Sequence, residues 1–178
     1  MNTGNGHFNL PARVLHWSMA VMIIAMLFIG VTMVASLHLR PLLIDLHRPL
    51  GVAIGVLALL RLYNRLRHRP PLLPAELPAW QAMAARLSHW MLYALMLLMP
   101  LIGWAMLSAG GYPIVLWKGL QLPAIVPHTP ALYAALRNAH GVLAYVLFAM
   151  VLMHVGAALL HLWVRRDGVF QAMARGRD

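Results

Sequence analysis

Four apolar runs, each long enough to cross a bilayer and nearly free of charge, leave this chain few folds to choose from. A hydrocarbon core about 30 Å thick needs roughly 20 apolar residues per helix. The runs fall at about 14–37, 43–60, 87–107 and 139–164. In the first, no charge follows Arg13 until Arg40. In the second, Asp45 and Arg48 sit only near the start, and the fourth stops at Arg165-Arg166-Asp167. Proline and glycine break the two long connectors, at Pro70-Pro71, Pro74 and Pro78 after the second run. Gly110-Gly111, Pro113, Pro123, Pro127 and Pro130 do the same after the third. The economical architecture is an all-α, integral membrane four-helix bundle, with residues 1–178 forming a single membrane domain.

Composition excludes the alternatives. Hydrophobic residues make up 62% of the chain and charged residues 10%, where a soluble domain carries about 25% charged residues. An ordinary soluble enzyme is thereby ruled out. The formal net charge of +10 arises because 14 Lys+Arg face only 4 Asp+Glu. Scarcity of acids, not a basic groove, raises the pI, so no nucleic-acid partner is expected. The absence of cysteine excludes structural disulfides, zinc-thiolate sites and iron–sulfur clusters.

Basic residues also orient the bundle, because short loops rich in Lys and Arg stay in the cytoplasm. One side holds Arg13, the Arg61–Arg69 cluster with Arg86, and the C-terminal arginines. The other holds Arg40, Arg48, Lys118 and Arg137. Both termini are therefore expected to be cytoplasmic. The first run is too long for the apolar region of a cleaved signal peptide, which spans about 7–15 residues.

Histidine inside a membrane span is rare and usually functional. His16, His47, His89, His140, His154 and His161 lie in or at the edges of the four runs. Topology converts position into depth: His16 and His89 start runs that begin inside, His47 and His140 start runs that begin outside. His154 follows His140 by fourteen residues, roughly 21 Å along a helix and within about 40° of the same face. Two levels of paired imidazoles result, His47 with His140 and His16 with His154. Each level suits one haem with two axial histidines. His89 and His161 share the inner level, which leaves the partner of His154 open. His161 suits a hydrogen bond to a propionate or a quinone carbonyl. Hydrogen bonds between helices and a divalent-metal site compete with the haem reading, although a metal site would normally recruit carboxylates or cysteines and the runs offer only Asp45.

Small residues fit a flat macrocycle, which needs a gap where a side chain would project. Gly51 and Gly55 follow His47 on or near its face, while Gly30 lies fourteen residues after His16 and Gly103 fourteen after His89. Gly30 and Gly103 are thus expected at the outer level. Gly51-x-x-x-Gly55 also reads as a helix-packing motif. The methionines read as packing filler, and Trp17, Trp90 and Trp163 as an aromatic belt at the inner interface.

Taken together, the chain resembles the bacterial diheme cytochrome b561 family over nearly its whole length. The matching stretches are Arg13-Val-Leu-His16-Trp17, Leu46-His47-Arg48-Pro49-Leu50-Gly51 with Arg61-Leu-Tyr-Asn-Arg65, and Ser88-His89-Trp90-Met-Leu-Tyr93 with Pro100-Leu-Ile-Gly103-Trp104. The last is Ala139-His140-Gly141 with His154 and Arg166-Asp167-Gly168. The resemblance implies two b haems, ligated by His16/His154 and His47/His140, and electron exchange with ubiquinone in the bacterial inner membrane. One member type is a superoxide oxidase, which moves electrons from periplasmic superoxide to ubiquinone. An electron-transfer subunit serving a separate periplasmic protein, and a haem-free histidine-rich metal-binding or transport protein, are the alternatives. The connector segment Ile125-Val-Pro-His-Thr-Pro130 departs from the superoxide-oxidase type and bears on the identity of the donor. Arg48, Arg137 and Lys118 form an expected propionate or anion rim, and His89 and His161 an expected quinone or propionate site.

Overall fold

The computed structural model describes residues 7–68, 70–71, 74, 77–117 and 119–175; Lys118 of the expected anion rim lies outside them. Four long helices dominate: α1 (Leu10–Ala35), α2 (Arg40–Arg67), α3 (Ala79–Ala109) and α4 (Pro130–Leu159). A π turn over Leu160–Arg165 prolongs α4, and a short helix α5 (Val169–Ala174) follows. Their local causes are plain. Asn9 Oδ1 accepts the Ala12 N–H at 2.9 Å and caps α1. Prolines occupy the first turns of α1, α2 and α4, where the missing N–H costs nothing.

The helices are longer than the apolar runs. Hydropathy marks only the depth of hydrocarbon, whereas a helix continues until its backbone is interrupted. Arginine and leucine propagate helices well, so α2 runs on through Arg61 and Arg65 and ends at Arg67, just before Pro70-Pro71. These arginines therefore belong to a helix, not to a connector. The connector after α3 is also more ordered than its prolines imply. It folds into an antiparallel hairpin, β1 (Ile114–Trp117) with β2 (Leu120–Leu122), turned at Gly119, whose φ is 87°. Two short apolar runs around a glycine were the available signal.

Large apolar side chains lie on the outside, for example Phe28 at 70% and Val142 at 62% exposure. That is the surface of a bundle solvated by lipid. All four long helices have the length and composition to cross a membrane. Inside, Met19 and Ile23 of α1, Ile54 and Ala58 of α2, and Tyr93 and Met96 of α3 form one buried cluster. Gly55 serves this packing: a Cβ there would stand 3.3 Å from the ring of Pro100. It belongs to the α2–α3 contact and not to a cofactor gap.

Packing is uneven. Helix α1 lies along α2 and α3 along α4, while α2 and α3 join the two pairs; the α4 backbone meets α1 and α2 at no more than isolated points. Only Leu147 of α4 is buried. Segments near the two chain ends meet at one end of the bundle, where Phe8 N–H donates to Ala172 O at 3.0 Å and Trp17 Nε1–H to Met173 O at 3.3 Å. This is the terminal end; the hairpin lies at the other.

Candidate functional site

Histidine rings reach across the space that α4 leaves open. At the hairpin end, His47 of α2 faces His140 of α4 with ring centres 6.1 Å apart and planes inclined by 64°. At the terminal end, His16 of α1 faces His154 of α4 at 6.1 Å and 68°. His89 of α3 also touches His154, but closer, at 5.5 Å and 78°. Two imidazole nitrogens each about 2 Å from a shared metal place their ring centres about 6 Å apart. The first two pairs have that separation, and the third is shorter.

The hairpin-end tier is sparsely furnished. Among the described residues, His47 Nδ1, His140 Nδ1 and Arg48 Nε are buried without a hydrogen-bond partner. Buried polar atoms are normally satisfied, so three orphans in one tier mark a place that expects a polar or ionic group. Gly103 of α3 lies directly against this tier: a Cβ would stand 3.4 Å from His140 Cε1. A Cβ on Gly30 would meet nothing within 4 Å, and one on Gly51 only Met26 Cε at 3.7 Å. Arg40 Nε–H is spent on Met33 O at 3.0 Å, and Arg137 is exposed.

The terminal-end tier is crowded. Arg61 donates from its Nη1 to His16 Nδ1 at 2.7 Å and from Nε to the Tyr93 hydroxyl at 3.1 Å. Arg65 stacks over Tyr93 and Trp90 at 5.8 and 6.0 Å. His89 Nδ1–H donates to Ala85 O at 2.6 Å, which leaves Nε2 with a free lone pair. His161, at the start of the π turn, donates its Nδ1–H to Asp167 Oδ2 at 2.6 Å, the one contact of a basic side chain with a carboxylate among the described residues. No carboxylate among the described residues answers Arg61. A half-buried guanidinium without an acid is suited to an anionic group such as a propionate.

Arg61 was legible in principle. It follows His47 by fourteen residues, the same spacing that puts His154 below His140. The roles of Tyr93 and Asp167 had no comparable signal, since each depends on contact between segments.

A four-helix membrane bundle with histidines facing one another in its interior falls in the class of membrane electron-transfer proteins. The family model for prokaryotic cytochrome b561 matches residues 7–176, and the chain belongs to that family. It is 30% identical over 171 residues to cytochrome b561 homolog 1 of Escherichia coli (strain K12), covering 89% of this chain and 92% of that protein. It is 30% identical over 161 residues to a protein of Yersinia pestis named "Probable superoxide oxidase CybB", covering 89% and 90%. Cytochrome b561 homolog 2 of E. coli (strain K12) is 25% identical over 175 residues. Family membership makes this a multi-pass bacterial membrane protein of electron transfer that uses b-type haem. The haem-free alternative is displaced. The residues present fit that group: imidazoles at metal-bridging separation, orphaned polar atoms beside them and room at Gly30 and Gly51.

Proposed function

We propose that this chain holds two b haems in the bacterial inner membrane, with both termini cytoplasmic, and moves electrons from a periplasmic donor to ubiquinone. We further propose superoxide as that donor, which makes the activity that of a superoxide:ubiquinone oxidoreductase. One observation carries the reading: two histidine pairs on a shared helix, α4, repeat the same 6.1 Å separation at depths roughly 21 Å apart. His47 and His140 would hold one haem and His16 and His154 the other. Held there, haem would supply reversible one-electron carriage.

The chain's own residues do the rest. Gly30, Gly51 and Gly103 keep side chains out of the cofactor gap. Arg48 and Arg137 outnumber Asp45 at the hairpin end, where they neutralise propionates and attract an anionic donor. Arg61, which meets His16 Nδ1, would turn to a haem carboxylate if that nitrogen carried the ring proton. His89 and His161 take the quinone end. Two superoxide ions become two dioxygen molecules, and their two electrons, with two protons, convert one ubiquinone into one ubiquinol.

The superoxide assignment draws on the name of the Yersinia relative and on the basic rim. A separate periplasmic redox protein is the second reading, favoured by the apolar surface that Val115 and Leu120 expose on the hairpin, at 47% and 62%. A dithionite-reduced spectrum with a haem-to-protein ratio tests the cofactor content. Stopped-flow mixing with superoxide and a quinone tests the reaction: haem reduction by superoxide alone is expected, and a protein that stays oxidised until a second protein is added would shift the donor to the second reading.

A further inference from the structure

The connector between α3 and α4 has too few polar side chains for a loop bathed in water. From Tyr112 to Pro127 the sequence holds one charged residue, Lys118, and no acid. The segment is also held firmly against the bundle. Leu107, the last residue of the third apolar run, accepts the Tyr112 N–H at 2.9 Å, and Trp104 Nε1–H donates to Pro123 O at 2.8 Å. Ser108 Oγ accepts the Ile125 N–H at 3.3 Å, and Ala109 O the Thr129 N–H at 2.9 Å. The hairpin therefore starts within about two helical turns of the point where the apolar run ends, and these bonds keep it at that depth.

Both faces of the hairpin are largely apolar. Ile114, paired with Leu122, is buried, and β1 rests on α2. An antiparallel hairpin with one face in water normally turns polar side chains outward. Here Val115 and Leu120 are exposed, as are Tyr112 and Ile125, and Gln121, opposite Val115, is the outward polar side chain. In water, such a surface beside open strand edges invites aggregation. In the hydrocarbon core, the same edges would leave backbone N–H and C=O groups unpaired. The boundary between head groups and acyl chains meets both demands, giving the side chains apolar contact and the strand edges water. Leu42 and Leu46, in the first turns of α2, are exposed at the same end, so the hairpin prolongs a surface that already faces lipid.

We propose that the β1–β2 hairpin is an interfacial anchor, lying at the boundary between head groups and acyl chains with Val115 and Leu120 in contact with phospholipid. Tyr112 suits that level, since its ring is apolar and its hydroxyl is polar. The ring also stands 5.8 Å from that of Tyr133 in the first turn of α4, which ties the anchor to a second span. Interfacial anchors of this kind set how a bundle sits and tilts in the bilayer. The role is independent of the donor and of the quinone. Lipid on this face does, however, take from the second reading the surface that favoured a partner protein.

The chain contains no cysteine, so a nitroxide can be attached at one position at a time. Val115→Cys and Leu120→Cys are labelled in the haem-loaded protein and reconstituted into phosphatidylcholine vesicles. Phe28→Cys serves as the lipid reference and Arg137→Cys as the water reference, both side chains being exposed. Power saturation reads collisions with oxygen, which concentrates among acyl chains, and with a nickel chelate, which stays in water. An unchanged haem spectrum checks the fold of each variant. Both hairpin labels are expected to give an oxygen-to-nickel collision ratio several-fold above that of Arg137→Cys and approaching that of Phe28→Cys. Nickel-dominated collisions matching Arg137→Cys would put the hairpin in water and overturn the proposal. Few collisions with either reagent would overturn it too, because protein then covers the face; cover that vanishes on dilution with lipid identifies a second copy of the chain.

Discussion

The two histidine tiers share one geometry and differ in everything around it. His47/His140 and His16/His154 match in separation and differ by only a few degrees in inclination. At the hairpin end the rings are left alone, with orphaned nitrogens and a glycine pressed against His140. At the terminal end a third histidine, a guanidinium and a tyrosine hydroxyl crowd the same motif. Ring spacing is therefore the common element, and the surroundings are where the two tiers differ. On the proposed reading, the sparse tier takes electrons in, needing little beyond a haem and a basic rim, and the terminal end, where titratable groups cluster, passes them to the quinone.

Substituting the ligands gives the largest effects. His140→Ala should remove one haem and leave the other, halving the haem-to-protein ratio, and His154→Ala should remove the complementary one. His16→Ala is expected to reproduce His154→Ala, whereas His89→Ala keeps both haems and slows quinone reduction. The reverse outcome, with His89 needed for haem and His16 dispensable, would reassign the crowded tier.

Next in size comes a steric change confined to the sparse tier. Gly103→Val adds bulk within contact distance of His140. Overpacking of this kind costs about 1–3 kcal/mol, so haem should be lost selectively from the hairpin end. Gly55→Val, by contrast, strikes the Pro100 ring and should lower thermal stability without selecting a tier. Equal loss from both tiers in Gly103→Val would break the comparison.

Arg61→Gln probes the crowded tier more gently. Reduction removes one positive charge from iron, so a nearby cation favours the reduced form and its removal lowers the midpoint potential. A unit charge within roughly 15 Å at an effective dielectric near 20 is worth about 1 kcal/mol, or on the order of 50 mV. Redox titration should show that one potential falls while the other stays in place.

The smallest effect is expected at the exposed rim. Arg137→Ala should modestly slow haem reduction by superoxide at low ionic strength and have no effect at high salt, where screening hides the charge. A rate that is independent of salt in the wild type removes the steering role.

Much of this molecule is written in linear properties of the chain. Four spans, termini at a common end, and histidines at two depths follow from hydrocarbon thickness and helical rise, because both act along one segment at a time. The same arithmetic reaches Arg61, fourteen residues after His47, once α2 is allowed to run past its apolar stretch. Other features depend on how segments meet. Helix α4 is held away from α1 and α2, Gly55 yields to Pro100, and His89 approaches His154 without matching the other pairs. Asp167 meets His161 only because the chain leaves α4 through a π turn and a left-handed residue. Helix rotation, spacing and chain reversal arise from contacts between segments, and periodicity within one segment carries no record of them.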